Sequence, residues 1–207
     1  MTELRTPRLL LRTWRPEDAA PMAAINRDPE VARYLNRPIA EAALAGFFPL
    51  LVDHWEEHGF GPWAVEARER ISPGAAGAAI APRAFLGFAG VAHPAYLPAL
   101  AHRPEIGWRL ARRAWGSGLA TEAALAARDH AFATLGLAEL IAIVHPQNAR
   151  SQAVARKLGM TVGAHVHNPL LRRFVEVWSL RAPSGPGATV TECTPSRRLS
   201  RSSRRSC

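Results

Sequence analysis

The stretch "RRAWGSGLATEA", Arg112 to Ala123, decides how the chain around it folds. A strand-like segment, EIGWRLA, leads into it, and an amphipathic helical pattern, LATEAALAARDHAFATLG, continues from it. Gly116 and Gly118 can adopt backbone conformations closed to other residues and let a ligand come close to the main chain. The unpaired N–H groups at a helix N-terminus favour an anion at that place. The pattern predicts a strand, a glycine turn and a helix that together bind phosphate.

Two common nucleotide-binding turns fit this stretch poorly. A Walker-type loop ends in Gly-Lys-Ser/Thr, and GSGLAT has no lysine. A dinucleotide fingerprint needs a third glycine where Thr121 stands and an acid at the end of the following strand. Glu139 precedes that strand, and His145 stands at its end. The turn therefore favours another ligand with a pyrophosphate, towards which Arg112 and Arg113 add positive charge.

Length and composition are those of one globular domain with a basic tail. The chain has 207 residues, 48% of them hydrophobic, and a formal net charge of +9. We expect a domain over residues 1–183 and a disordered Arg/Ser-rich tail over 184–207, since the tail has few large apolar groups. Cys193 and Cys207 both lie in the tail, so we expect neither a disulfide framework nor a metal site. No segment approaches the ~20 apolar residues of a membrane helix, so we expect a cytoplasmic protein without membrane contact.

Apolar periodicity predicts an α/β fold with a mixed sheet. The predicted strands are 8–14, 60–68, 85–93, 105–111, 139–146 and 173–181. The predicted helices lie within 15–35, 39–59, 119–136 and 148–159. Pro49 should kink or split the second of these helices, and residues 69–84 read as a loose hairpin connection.

Four segments, in order along the chain, resemble one family. RAWGSGLA resembles Arg/Gln-x-x-Gly-x-Gly/Ala, the acyl-CoA pyrophosphate motif of the GNAT acetyltransferase superfamily. EIGWRLARRAWGSGLATEA and HPQNARSQAVARKLGM are similar to segments of its ribosomal-protein N-acetyltransferase-like branch, and TPRLLLR with DPEVARYL resembles the opening of that branch. The likeness spans residues 6–181. It implies a GNAT-like three-layer sandwich with a mixed, mostly antiparallel sheet and splayed central parallel strands, here 105–111 and 140–145.

The resemblance implies acetyl-CoA as co-substrate and no metal. Backbone groups of Trp108 to Leu110 would hydrogen-bond the pantetheine arm, and Gly116 to Thr121 with Arg113 would hold the pyrophosphate. Asn148 could hold the CoA arm or a water, cap its helix, or do both, and Lys157 could equally lie on a solvated helix face. The residues implied to contact the donor are Trp108, Arg109, Leu110, Arg113, Trp115, Gly116, Ser117, Gly118, Leu119, Ala120, Thr121, Asn148 and Lys157.

The implied reaction is direct transfer of an acetyl group to an amine. Glu105 is the candidate base, acting directly or through a water, because a carboxylate beside the slot between the strands could accept the proton of the amine. Glu105 could instead be paired with an arginine, and His93 and His145 are the less favoured bases. Ser151 occupies the position that in this branch can protonate the leaving thiolate; its alternative is an ordinary helix surface.

The acceptor amine is left open between a protein N-terminal α-amine and a small molecule. Phe47, Trp55, Phe60 and Trp63 could line an acceptor pocket or pack in the core. A different class of function, a non-catalytic acyl-CoA-binding regulatory module, uses the same glycine turn. The arginine tail gives weak support for contact with RNA or the ribosome, and the sequence is compatible with a monomer or a homodimer.

Overall fold

A computed structural model describes residues 2–35, 41–72, 79–168 and 173–183, except the side chains of 41–47 and 173. Within these ranges the chain forms eight strands and five α-helices. The strands are β1 (Leu4–Arg5), β2 (Leu9–Arg12), β3 (Pro62–Ala67), β4 (Phe85–Ala92), β5 (Glu105–Leu110), β6 (Glu139–Val144), β7 (Thr161–Asn168) and β8 (Arg173–Arg181). The helices are α1 (Ala19–Arg27), α2 (Pro29–Ala32), α3 (Glu41–His58), α4 (Leu119–Ala133) and α5 (Ala149–Lys157). The predicted tail, 184–207, lies outside the described residues.

One sheet carries all eight strands, in the order β1-β2-β3-β4-β5-β6-β8-β7. Every neighbouring pair is antiparallel except β5 and β6, which are parallel. The register of this parallel pair joins Glu105 to Ile141, near the start of both strands, and beyond that point the strands part. The predicted mixed, mostly antiparallel sheet with splayed parallel strands is confirmed.

Helices cover both faces of this sheet, which gives the three predicted layers. Side chains of α4 pack against the sheet in one buried cluster, which includes Leu119, Ala123, Ala127, Ala131, Leu9, Leu11, Val65 and Leu86. The first two helices form a second cluster, in which Met22, Ile25 and Val31 pack with Phe85 and Phe88. Burial of these apolar groups is the main source of stability. Among the described helices, none is long and apolar enough to span a membrane.

The helical region predicted over 15–35 is two helices instead of one. Asp28 has an extended backbone, with φ −62° and ψ 120°, and its side chain accepts hydrogen bonds from the N–H groups of Glu30 and Val31. The chain breaks there because the residue before Pro29 is disfavoured in the helical region, and Asp28 then caps the next helix. Of the two outcomes expected at Pro49, a kink or a split, the split does not occur, because α3 runs through Pro49.

β7 was absent from the sequence prediction. It lies at the edge of the sheet, and most of its residues are exposed on both faces. Val162, Ala164 and Val166 do alternate with polar residues or glycine along it, so this strand was open to prediction from its period of two. The alternation is short, and the pairing register shifts between Val162 and His165.

A buried ion-pair network fixes the first helical region to the sheet. Arg12 donates both terminal nitrogens to the carboxylate of Asp18, at 2.7 and 2.8 Å, and its Nε to Glu66 at 2.7 Å. The Arg12 and Asp18 side chains are only 4% and 3% exposed. The hydrogen bond to Asp18, followed by that to Glu66, raises the pKa of Arg12 above its ordinary value although burial acts to lower it. The network holds three charges that would be costly to bury singly.

Candidate active site

The glycine turn has the predicted geometry. Gly116 and Gly118 have φ values of 76° and 77°, in the left-handed region that glycine tolerates best. Gly118 immediately precedes α4, which begins at Leu119 as predicted, and no side chain caps this helix. The first N–H groups of α4 lack acceptors within the helix and are available to an anion.

Arg8, which directly precedes β2, ties this turn to the sheet. Its Nε and Nη2 each lie 2.7 Å from Glu122 Oε2, and its Nη1 donates to the carbonyl of Ser117 at 2.9 Å. Thr6 Oγ1 donates to the other Glu122 oxygen at 2.6 Å. Burial alone would raise the pKa of Glu122, but the hydrogen bonds from Thr6 and Arg8 outweigh it and lower that pKa. Arg8 thus offsets a negative charge that would otherwise repel a phosphate at the N-terminus of α4.

Replacing Arg8 with methionine should destabilise the protein by about 1–3 kcal/mol, because a largely buried Glu122 carboxylate loses its charged donors. Urea unfolding at neutral pH measures this change. Arg5→Met is the matched control: Arg5 is 69% exposed and lies 3.9 Å from Glu3, so about 0.5 kcal/mol or less is expected there. Equal effects of the two variants would contradict a structural role for Arg8.

A cavity of about 540 Å³ opens beside the turn, bounded by β5, α5 and the residues around α2. Most of the residues predicted to bind the donor line it. They are Trp108, Arg109, Leu110, Trp115, Gly116, Gly118, Leu119, Ala120, Thr121, Asn148 and Lys157, and Ser151 joins them. Glu105, Arg113 and Ser117 are not among the lining residues.

Arg113 is turned away from this cavity. Its Nη2 donates to the backbone carbonyl of Phe85 at 2.6 Å, so a contact with a pyrophosphate would require that bond to break. Arg150, which the sequence prediction did not select, lies in the cavity with its guanidinium carbon 4.6 Å from the centroid of the Trp115 ring. Arg150 thus adds a cation to the cavity that Arg109 and Lys157 also line, and a cation–π contact with Trp115 holds it there.

Asn148 and Ser151 stand together at the start of α5. Asn148 Oδ1 accepts the backbone N–H of Ser151 at 3.1 Å, so the predicted N-cap is confirmed. This contact fixes Ser151 in the first turn of α5, where it is half-buried in the cavity wall. On the opposite wall, the Leu110 carbonyl accepts the indole N–H of Trp115 at 2.8 Å.

Glu105 lies where the parallel strands part. Its two carboxylate oxygens are 2.9 and 2.8 Å from the hydroxyl of Tyr96, and the backbone N–H of Ile143 also hydrogen-bonds the carboxylate. If β5 and β6 stayed paired, the N–H of Ile143 in β6 would bond to the backbone of β5. Here it bonds to the Glu105 side chain instead. Burial raises the pKa of Glu105 to about 7, although Tyr96, Ile143 and the charge of Arg109 act to lower it.

Arg109 lies on the same face of β5, two pleats beyond Glu105. Gly107 separates them and leaves the surface open, since a Cβ there would meet only a Phe88 ring carbon, at 3.9 Å. Arg109 donates to Asn26 Oδ1 at 2.7 Å and lies 5.3 Å from the centroid of the Phe88 ring. Burial lowers the pKa of Arg109 to about 10, against the raising effects of Tyr96 and Glu105.

The alternative bases both make backbone hydrogen bonds. The backbone N–H of His93 donates to His54 Nε2 at 3.0 Å, and His93 Nδ1 lies 3.1 Å from the Ala101 carbonyl. His145 Nδ1 accepts the N–H of Gln147 at 3.0 Å, and its ring packs 5.1 Å from that of Tyr34. These contacts favour roles for both histidines in holding loops.

The aromatic residues considered for the acceptor pocket lie mainly in the core. Trp55 and Trp63 are 5% and 0% exposed and pack edge to face at 5.2 Å between ring centroids. Phe60 is partly buried against the same cluster. The side chain of Phe47 lies outside the described residues. Over the described part of the chain, no group of three histidine, cysteine or acidic side chains is arranged to hold a metal ion.

Known proteins share sequence and fold with this chain. Residues 8–161 match the family described as "Acetyltransferase (GNAT) domain". The uncharacterized protein YkkB of Bacillus subtilis (strain 168) is 45% identical over 56 residues, which are 27% of this chain. That match spans 33% of YkkB, a third of its length.

Three solved structures share the fold. An acetyltransferase from Agrobacterium tumefaciens str. C58 has a TM-score of 0.73 at 28% identity, over 87% of this chain and 95% of that one. A spermidine N-acetyltransferase from Vibrio cholerae, in complex with CoA and spermine, has a TM-score of 0.65 at 17% identity, over 86% and 97%. The ribosomal L7/L12 α-N-protein acetyltransferase RimL, in complex with coenzyme A, has a TM-score of 0.63 at 12% identity, over 87% and 98%.

Proposed function

The chain belongs to the GNAT acetyltransferase family, and on this premise we propose that it transfers an acetyl group from acetyl-CoA to a primary amine. The observation that carries the proposal is the slot between β5 and β6: the glycine turn follows the end of β5, and the Glu105 carboxylate lies at its start, where the two strands part. The glycine turn is suited to bind a pyrophosphate, and the Glu105 carboxylate is suited to accept a proton. An N-acetyltransferase needs both.

The donor would bind along the cavity wall. Its pyrophosphate would meet the N–H groups at the start of α4, with Arg150 as a cation in the same cavity. Backbone groups of Trp108 and Arg109 on the open edge of β5 would hydrogen-bond the pantetheine arm as an added strand does. Arg113 and Ser117 are excluded from this proposal, since neither lines the cavity.

The protein supplies proton transfer and orientation. Glu105 accepts a proton from the ammonium group of the acceptor, and the free nitrogen then forms its bond to the carbonyl carbon of the thioester. The attack makes a tetrahedral intermediate whose nitrogen is positively charged, and this nitrogen releases its second proton to solvent. The oxyanion returns to a carbonyl as the carbon–sulfur bond breaks, and the Ser151 hydroxyl gives its proton to the departing thiolate and recovers one from solvent. A carboxylate whose pKa is about 7 suits this task, because it is partly ionised and still basic near neutral pH.

The acceptor is either a protein N-terminal α-amine or a small amine. A primary ammonium group is the chemical feature that a half-buried carboxylate recognises best, since each can satisfy the charge of the other. The spermidine N-acetyltransferase and RimL, which share the fold, are named for these two kinds of acceptor.

Release of free CoA thiol from acetyl-CoA, measured against a panel of small amines and N-terminal peptides, tests the reaction. We expect turnover with at least one amine and, by mass spectrometry, a product heavier by one acetyl group. Reactions without acceptor correct for the two cysteines of the chain, Cys193 and Cys207, which react with thiol reagents. Tight CoA binding with no turnover on any amine would instead favour a non-catalytic binding module.

Gly118→Ala should weaken acetyl-CoA binding at least about tenfold, or ~1.4 kcal/mol. The added Cβ lies where the phosphates approach the backbone, while within the protein it meets only Arg8 Nη2, at 3.6 Å. Gly136→Ala is the matched control, because Gly136 also has a positive φ, 66°, and nothing lies within 4 Å of its Cβ position. Both variants carry the same backbone strain, so equal dissociation constants in calorimetry would remove the turn from the donor site.

A further inference from the structure

Tyr96 contacts Glu105 from a segment that the sequence prediction left without a role. It lies in the connection from β4 to β5, nine residues before Glu105. Its hydroxyl is within hydrogen-bond distance of both carboxylate oxygens, at 2.9 and 2.8 Å. A phenol placed symmetrically between two oxygens restricts rotation of the carboxylate about its last bond.

The connection that carries Tyr96 is itself fixed to the core. Leu97 and Leu100 are 1% and 8% exposed and pack with Ile141 and Val177 beneath the slot. His93 lies just after β4, at the start of the connection, and its Nδ1 is hydrogen-bonded to the Ala101 carbonyl near the end of the connection. The position of the Tyr96 hydroxyl is therefore set by packing of its neighbours, although the Tyr96 side chain is itself 39% exposed.

We propose that Tyr96 is the positioning residue of the base: its hydroxyl holds the Glu105 carboxylate in one orientation in the slot and stabilises its ionised form. This inference rests on the proposed function, because it assigns Tyr96 a task in the same proton transfer. Two donors of the protein, the Tyr96 hydroxyl and the Ile143 N–H, then hold the Glu105 carboxylate. Oxygen lone pairs not taken by these donors accept the proton of the amine.

The proposal predicts a change that a packing role would not produce. A donor to a carboxylate favours its charged form, so removing the donor makes the carboxylate bind its proton more tightly. Tyr96→Phe keeps the ring and removes the hydroxyl. The acidic limb of the pH profile of kcat/KM should therefore move upward by about one pH unit, which lowers kcat/KM about tenfold below the midpoint.

Three measurements identify the role. At pH values well above the shifted limb, kcat/KM of Tyr96→Phe should recover to within the few-fold loss that a less restrained carboxylate causes, and its affinity for acetyl-CoA should stay within about twofold. Tyr96→Phe added to Glu105→Gln should cost nothing further, because Tyr96 acts only through that carboxylate. The proposal would be overturned if the acidic limb of Tyr96→Phe did not move. It would also be overturned if Tyr96→Phe lowered kcat/KM as much in the Glu105→Gln background as in the wild type.

A second probe leaves the side chains in place in case Tyr96→Phe folds poorly. Replacing both tyrosines of the chain with 3-fluorotyrosine makes each hydroxyl a stronger donor, so the acidic limb should move downward. An upward or absent shift contradicts the proposal. If the wild-type protein acetylates no amine at all, the proposed function is refuted. If the wild type is active but the acidic limb of its pH profile does not move in the altered proteins, only the role of Tyr96 is refuted.

Discussion

Glu105→Gln is expected to lower kcat/KM by about 10²- to 10⁴-fold, the usual contribution of a positioned general base. Glutamine has nearly the same shape and can still accept the hydrogen bonds from Tyr96 and Ile143, but it cannot take up a proton. Donor binding should remain within about twofold, because Glu105 does not line the donor cavity. Thiol-release kinetics and calorimetry measure the two quantities separately.

The matched control for this variant is Glu139→Gln. Glu139 is the first residue of the neighbouring strand and pairs with Arg103 at 2.8 Å near the surface. We expect its kcat/KM to stay within about twofold of the wild type, since the carboxylate is held outside the slot. If Glu105→Gln kept nearly full activity across the pH range, the proton acceptor would be a water or a histidine.

The same substitution should stabilise the protein at alkaline pH. The pKa of Glu105 in the folded chain, about 7, exceeds its ordinary value of 4.5, so folding favours the protonated form. The resulting cost is absent below the ordinary pKa, grows as the pH rises, and is complete above about 7. Glutamine never carries that charge. The free energy of unfolding of Glu105→Gln should exceed that of the wild type by roughly 1–3 kcal/mol at pH 8 and by little near pH 4.

Arg12→Met is expected to lower the free energy of unfolding by about 3–5 kcal/mol. The change leaves Asp18 and Glu66 as buried carboxylates without their shared cation. Chemical denaturation at pH 7 measures the loss. The loss comes from the cost of burying two unpaired carboxylates. Adding Asp18→Asn and Glu66→Gln to Arg12→Met removes those charges and should therefore recover part of the free energy of unfolding.

Arg15→Met is the control for this network. Arg15 is 50% exposed and lies 3.9 Å from Glu66, so its removal should cost about 0.5 kcal/mol or less. A small effect at Arg12, similar to that at Arg15, would mean that the buried network contributes no more than a surface ion pair.

Local sequence was sufficient to predict a structural feature when all the residues that form the feature lie in one stretch of the chain. The strand, glycine turn and helix of residues 105–133 are contiguous, and the two positive φ angles follow from the absence of a Cβ. The cap formed by Asn148 is equally local, since donor and acceptor are three residues apart. β7 was missed although Val162, Ala164 and Val166 alternate along it, so its existence was local information as well.

Contacts between distant segments could not be read in the same way. Arg8 and Glu122 are 114 residues apart, and nothing in either neighbourhood indicates that they meet. Arg113 belongs to the family motif, yet its side chain is directed towards Phe85. Arg150, from α5, lies in the cavity instead. The direction in which a side chain leaves the backbone depends on the surrounding fold.

The sequence by itself determined the family, the order of most elements and the glycine turn, because these depend on side chains that are neighbours along the chain. Only the tertiary structure decided the environment of Glu105. Its carboxylate meets Tyr96 and Ile143 because two parallel strands part beside it and a packed connection returns across them. The shift of its pKa to about 7 is due first to burial. Burial is a property of the assembled sheet and is absent from the hexapeptide EIGWRL.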